Sequence, residues 1–209
     1  MSGVLVLGSG GHGKVVATIL LTQHIPLLGF LDNNPATWGT TILGLPVFGP
    51  IHIYPDFAPD GLVMGIGDNT VRQNVVQRLG QKAHHLWINA IHPNASVSPS
   101  VYLGRGIVIA AGAIVDPSSL IHDHVILNTA SRVAQDCEIR NFAHIAPGSH
   151  LAGGITVGQG VLIGIGAAVT PDHEVGDWAV VGAGALVVRD VPASVTAKGV
   201  PARWNTLHH

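Results

Sequence analysis

Cysteine is nearly absent. Cys137 is the only one in 209 residues, which excludes an internal disulfide framework and fits a reducing compartment. Charge is scarce as well. Only 11% of residues are Asp, Glu, Lys or Arg, and the formal net charge is -2. Bulk attraction to nucleic acid or to a membrane surface is therefore not expected. No apolar run reaches the ~18 residues of a membrane span. The N-terminus, MSGVLVLGSG, lacks the basic region and cleavage site of a signal peptide, so the expected location is cytoplasmic. Histidine is plentiful, with 13, yet no pair has zinc-site spacing with supporting Cys or carboxylates. His122 with His124, and His84 with His85, read as surface or turn residues, and no metal is expected.

What is present is a period of six. From Val97 through Leu103, Ile109, Val115, Ile121, Leu127, Val133, Ile139 and Ile145 to Leu151, Val157, Ile163, Val169, Val175, Val181 and Val187, every sixth residue is Val, Ile or Leu. Two places before each stands a small or β-branched residue, except at His173. Helices and ordinary strands repeat near 3.6 and 2, whereas a period of six is the mark of a hexapeptide parallel β-helix. Each hexad supplies a short strand and a turn, three hexads close a triangular coil, and both series point inward. Cys137 on the inward series reads as a core thiol, and His173 as a local widening. A solenoid with flat walls and few charges predicts an oligomer.

The first ~80 residues differ. An apolar strand over 3–8 runs into Ser9, Gly10, Gly11, His12 and Gly13, then a helix over about 14–22. Strands follow over 27–31 and 61–66, with Asp32-Asn33 and Gly67-Asp68-Asn69 after them. A helix over about 71–79 is capped by Asn69 or Thr70, and a further strand falls within 83–91. This is a Rossmann-like β-α-β unit over 1–80, joined by a linker over 81–94 to the β-helix over 95–209. Gly8, Gly10 and Gly13 match G-x-G-x-x-G, with Asp32 near the ribose-binding distance. Helix-start N–H groups attract phosphate, so the turn reads as the seat of a phosphate-bearing ligand, or as a tight turn needing glycine for packing. NAD is the literal inference, but the unit is too short for a second nucleotide half.

Taken together, the glycine turn with His12, Phe30-Leu31-Asp32-Asn33, Gly67-Asp68-Asn69, Leu127-Asn128-Thr129, His144-Ile145-Ala146-Pro147-Gly148, Leu151-Ala152-Gly153-Gly154 and Gly199-Val200-Pro201-Ala202-Arg203 resemble the sugar O-/N-acetyltransferases of the NeuD and PglD type. The resemblance implies a left-handed β-helix and a homotrimer that acetylates an amine or hydroxyl of a nucleotide-linked amino sugar. The sugar nucleotide would lie among Gly10, Gly11, His12, Asp32, Asn33 and Gly67. Acetyl-CoA would lie between prisms against His144, Gly153, Ile165 and Ala183, the last a glycine in the family. No metal takes part.

One departure stands out. The family's base histidine aligns with Gln135, while its acidic partner is kept as Asp136. A carboxamide holds a hydrogen bond but does not accept a proton at neutral pH. Arg132 and Arg140 also depart from the pattern nearby, which suggests a regional change on one wall. Three readings stand: a working enzyme with another base, His144 or else Asp136; a sugar amine that arrives neutral and is oriented by Gln135; or a homologue that binds nucleotide sugar and CoA without catalysis. His150, six residues after His144, fits either the same intersubunit groove or packing on the outer face, the latter being preferred. Lys198 and Arg203 fit either CoA phosphates or a solvated tail, and the closing His208 and His209 read as a possible tag remnant.

Overall fold

The computed structural model describes residues 3–205; His208 and His209 lie outside them. The chain divides into two compact units, residues 1–93 and 94–209.

The first unit is built on a sheet ordered β3-β4-β2-β1-β5, with β1 at Val4–Leu7, β2 at Leu27–Leu31, β3 at Thr41–Ile42, β4 at Leu45–Gly49 and β5 at Gly61–Met64. β1, β2, β4 and β5 are parallel, and β3 pairs antiparallel to β4. β1 and β5 are buried along their whole length, which is why they read as continuous apolar runs. Helix α1 (Gly11–Thr22) buries Val16, Ala17, Ile19 and Leu20. The unit is thus larger than a single β-α-β, since the β3–β4 hairpin adds to its edge. Residues 86–88 pair with Leu62 on the opposite edge, and a short strand follows at Ala90–Ile91.

The second unit is a left-handed parallel β-helix. Its strands are two residues long and pair with the strand 18 residues on: Val115 with Val133, Ile121 with Ile139, Leu127 with Ile145. The hexad aliphatics from Ile109 to Val187 are all buried. Face one carries Val97, Val115, Val133, Leu151, Val169 and Val187; face two carries Leu103 to Val175; face three carries Ile109 to Val181. From Gly106 to Gly184, every sixth residue lies in the left-handed region. Glycine fills this place at Gly148 and Gly166, but Ala130, Asp136 and Phe142 also adopt it, at φ 54°, 59° and 61°. The last coil is shorter, with Val180 pairing with Thr196 rather than 18 residues on.

The inward series holds with one deviation. His173 is half-buried, its Nδ1 3.3 Å from Asp190 Oδ1, and the coil's backbone ladder continues through its carbonyl, which accepts from the Thr156 N–H. Its ring turns to a surface carboxylate. Cys137 is a core thiol. Burial pushes its pKa up, and Sγ lies 3.2 Å from the Ala152 carbonyl oxygen.

Candidate active site

All six residues assigned to the sugar nucleotide, Gly10, Gly11, His12, Asp32, Asn33 and Gly67, line one cavity of ≈ 350 Å³. Parallel pairing places the ends of β1, β2 and β5 at one edge of the sheet, where such sheets bind ligands. Helix α1 begins at Gly11, earlier than the sequence pattern implied, with Gly10 as its N-cap and no side chain capping it. The first N–H groups of α1 have no partner within the helix and carry its positive dipole end.

The glycines here serve two purposes. A Cβ on Gly13 would overlap the Gly8 carbonyl oxygen, and one on Gly65 would stand 2.5 Å from the same atom. Gly8 itself sits at φ +106°, with Ile66 2.7 Å from where its Cβ would be. These three let the turn, α1 and β5 cross in contact. A Cβ on Gly10 or Gly11 would meet no heavy atom within 4 Å. Packing therefore does not require glycine at these two positions, and both open onto the cavity.

Asp32 is held by Ser9, whose N–H and Oγ–H both donate to Oδ2, at 2.7 and 2.6 Å, while the Asn34 N–H donates to Oδ1 at 2.8 Å. Burial raises its pKa, but these three bonds outweigh burial and leave it below the usual value. Much of its acceptor capacity is spent on shaping the loop. Asn33 Oδ1 accepts from the Ile51 N–H at 3.0 Å, so the side chain offers a ligand chiefly its NH2 group.

The loop after β5 rests on a residue that sequence reading passed over. Arg72, in α2 (Asn69–Leu79), is 1% exposed. Its guanidinium donates to the carbonyls of Ile66 and Gly67 and to Asn69 Oδ1, at 3.2, 3.0 and 2.9 Å. Burial lowers its pKa to about 10, partly opposed by Asp68. The cap of α2 is Asp68, accepting from the Val71 N–H at 2.8 Å, rather than Asn69 or Thr70.

On the β-helix, the predicted residues form two groups. Gln135, Asp136 and Gly153 share the corner between faces one and two. A Cβ on Gly153 would overlap Gln135 Nε2, and the Gly154 N–H donates to the Gln135 carbonyl. Asp136 is exposed, in the left-handed conformation. His144 lies on face three, and Ile165 and Ala183 stand one coil apart in the corner that follows that face. Ile165 is 62% exposed, and the same corner carries Asn128 and Thr129 in an earlier coil and Pro147, Gly164, Gly166 and Gly182 around Ile165. The two groups stand a full side of the triangle apart, at most about 20 Å for six extended residues.

Arg132 and Arg140 do not alter one wall. Arg132 on face one lies 3.4 Å from Asp116. Arg140, beyond face two, lies 3.5 Å from Glu138 and 4.0 Å from Glu174. Each is a surface ion pair, a local arrangement worth little energy. His122 and His124 also diverge, because the chain turns between them. His122 Nε2 lies 3.0 Å from Glu138, while His124 is buried and stacks on Phe142 at 5.2 Å between centroids. His150 is exposed on the outside of face one. Lys198 and Arg203 exchange backbone hydrogen bonds of 2.9 Å. Among the described residues, no group of three or more His, Cys, Asp and Glu is placed to hold a metal, and no helix is long and apolar enough to cross a membrane.

Residues 3–79 match the PglD N-terminal domain. The structure superposes on PerB from Caulobacter crescentus, solved in complex with CoA and GDP-perosamine, with a TM-score of 0.89 and 41% identity over 98% of this chain and 97% of that one. It also matches the acetyltransferase domain of PglB from Neisseria gonorrhoeae, in complex with acetyl coenzyme A, with a TM-score of 0.88 and 34% identity over 97% and 98%. By sequence it is 36% identical over 122 residues to the UDP-N-acetylbacillosamine N-acetyltransferase of Bacillus subtilis, covering 53% of this chain. The matched segments span 52% of that protein and 24% of an uncharacterized mimivirus protein, so about half or less of these curated relatives' length.

Proposed function

Because the chain belongs to the PglD-like family of hexapeptide-repeat sugar acetyltransferases, we propose that it transfers the acetyl group of acetyl-CoA to the amino group of a nucleotide-linked amino sugar. The observation that carries this reading is the cavity at the end of β1, β2 and β5, which gathers Gly10, Gly11, His12, Asp32, Asn33 and Gly67 with two glycines open to it. The start of α1 receives the phosphates, Asn33 donates to the ligand, and Asp32 and Arg72 hold the surrounding loops. An amine acceptor, rather than a hydroxyl, is favoured by relatives that are N-acetyltransferases.

In the reaction the neutral sugar nitrogen attacks the thioester carbonyl, the C–N bond forms, the C–S bond breaks, and the proton lost by the nitrogen passes to the departing CoA sulfur, so that CoA leaves as the free thiol. Ile165, Ala183 and the glycines beside them suit the slender pantetheine arm of acetyl-CoA, and His144 stands next to the same corner. Gln135, Asp136 and Gly153 belong to a different corner, so one chain alone holds half of the constellation. A closed ring of three copies, each turning one corner toward a different corner of its neighbour, completes it. Gln135 serves as an orienting acceptor: its carboxamide oxygen holds the amine through an N–H and takes no proton, so the amine enters neutral.

The second reading, a homologue that binds without transfer, is favoured by the same Gln135 pressed on Gly153, where the family places its base. Thiol release from acetyl-CoA, followed with UDP-, GDP- and dTDP-linked 4-amino sugars, separates the two. Release together with an acetylated sugar supports transfer. Thermal stabilisation by the sugar nucleotide without any release supports binding alone.

A further inference from the structure

His144 is held by a neighbour that sets which of its ring nitrogens carries hydrogen. Both backbones are fixed by the coil. The His144 N–H donates to the Val161 carbonyl at 2.8 Å, and the Asn128 N–H donates to the Ile145 carbonyl at 2.9 Å. From the coil below, Asn128 Nδ2 lies 3.1 Å from His144 Nε2. The amide of Asn128 can face only one way. Its Oδ1 accepts the Thr129 N–H at 2.8 Å, with Thr129 Oγ1 at 3.5 Å from the same oxygen. Turning the amide over would set its NH2 group against the Thr129 N–H, donor against donor. An amide NH2 only donates, so His144 Nε2 must accept, and in a neutral imidazole the hydrogen is then on Nδ1.

From this geometry we infer that Asn128 is a positioning residue that holds His144 in its Nδ1–H form, so that His144 meets acetyl-CoA as a hydrogen-bond donor and not as the proton acceptor. The inference rests on the acetyl-transfer reading above and narrows it. A histidine acting as base through Nε2 would first have to give up the Asn128 bond. A donor that reaches the thioester carbonyl would strengthen its hold as negative charge gathers on that oxygen. The order of residues supports this economy: Thr129 orients Asn128, and Asn128 orients His144. It also leaves Gln135 and the neutral amine as the arrangement on the other side of the reacting bond.

The chain reverses cleanly on one substitution. In Asn128→Asp, one carboxylate oxygen keeps the Thr129 N–H, while the other can only accept, which forces hydrogen onto His144 Nε2 and leaves Nδ1 as an acceptor. Nitrogen-15 NMR of histidine-labelled full-length protein, with the His144 signals identified by their loss in His144→Gln, reads the form directly. The native protein should show Nδ1–H, Asn128→Asp should show Nε2–H, and Asn128→Ala should move toward the mixture of free histidine. In transfer assays Asn128→Asp should lower kcat by about 100-fold, the loss typical of one oxyanion donor, with KM for acetyl-CoA changed by about twofold or less. An Nε2–H signal in the native protein, or an Asn128→Asp enzyme as fast as the native one, overturns the inference. The NMR result decides the tautomer whether or not any sugar is acetylated, so it remains readable if the transfer reading itself fails.

Discussion

Two neighbouring glycines in the β1–α1 turn should answer oppositely to the same change. Gly13 is buried in the first turns of α1, and an added Cβ overlaps the Gly8 carbonyl oxygen. That atom is backbone and cannot swing aside. Overpacking of this kind costs about 1–3 kcal/mol, here at the upper end, offset by the ~1 kcal/mol that alanine gains over glycine in a helix. The net loss for Gly13→Ala is about 2 kcal/mol, or roughly 10 °C in the melting of a unit of this size. Gly11→Ala meets nothing within 4 Å and starts the helix, so its stability should hold or rise by about 0.5 kcal/mol. Its methyl enters the cavity, and displacing a phosphate by one methyl should weaken the nucleotide sugar about tenfold or more. Calorimetric titration of each variant with a GDP- or UDP-linked 4-amino sugar, alongside thermal melts, is the assay. If Gly11→Ala binds as tightly as the native chain, the turn's glycines serve packing alone and the ligand lies elsewhere.

Gln135→His should raise kcat by about 100-fold or more, the usual contribution of a general base; an unchanged rate in a stopped-flow thiol assay would show that no base is wanted there. Gly153→Ala should fold normally, within about 0.5 kcal/mol, because the displaced atom is the flexible end of Gln135, yet slow transfer by shifting that carboxamide, as steady-state rates would reveal. Arg72→Ala leaves the Ile66 and Gly67 carbonyls and Asn69 without their cation and should cost about 3 kcal/mol by urea titration. For Asp32, whose folded pKa is lowered, the stabilising contribution is complete above its unfolded value of about 3.9 and is lost as pH falls through the lower, folded value. Denaturation curves across pH 2 to 5 should therefore show a shallower acid decline in Asp32→Asn than in the native chain.

The β-helix was legible in the sequence because its period is enforced by stacking. A side chain at Val133 or Ile145 meets the same kind of residue 18 positions away, so each hexad repeats the constraint. The six cavity residues were legible through the family pattern, and their gathering follows from strands β1, β2 and β5 ending at one edge. The stretch between Asn34 and Asp60 was not. The β3–β4 hairpin turns at Leu43-Gly44, both at positive φ, and leucine there hides the Asn-Gly signal such turns usually give. Arg72 was hidden for a different reason: on a helix of mixed polarity an arginine looks solvated, and only the fold reveals the carbonyls that surround it. The turn positions also misled. His122 and His124 both read as surface or turn residues, yet the coil turns between them and buries His124, and Arg132 and Arg140 look like one region in sequence while lying on different faces. Asp68 stands directly before Asn69 and Thr70, the two caps expected from the sequence, and the observed bond to the Val71 N–H assigns the cap to it.

The central claim is that this chain moves acetyl from acetyl-CoA to the amine of a nucleotide-linked sugar. The most direct measurement is mass analysis of GDP- and UDP-linked 4-amino sugars after incubation with acetyl-CoA and the full-length protein, with thiol release followed in the same tubes. The account predicts one acetyl group gained per sugar, on nitrogen, in step with the thiol released, and its loss in Gly11→Ala at low sugar concentration. Unmodified sugars with no thiol released, under conditions where the protein binds both substrates, would contradict it.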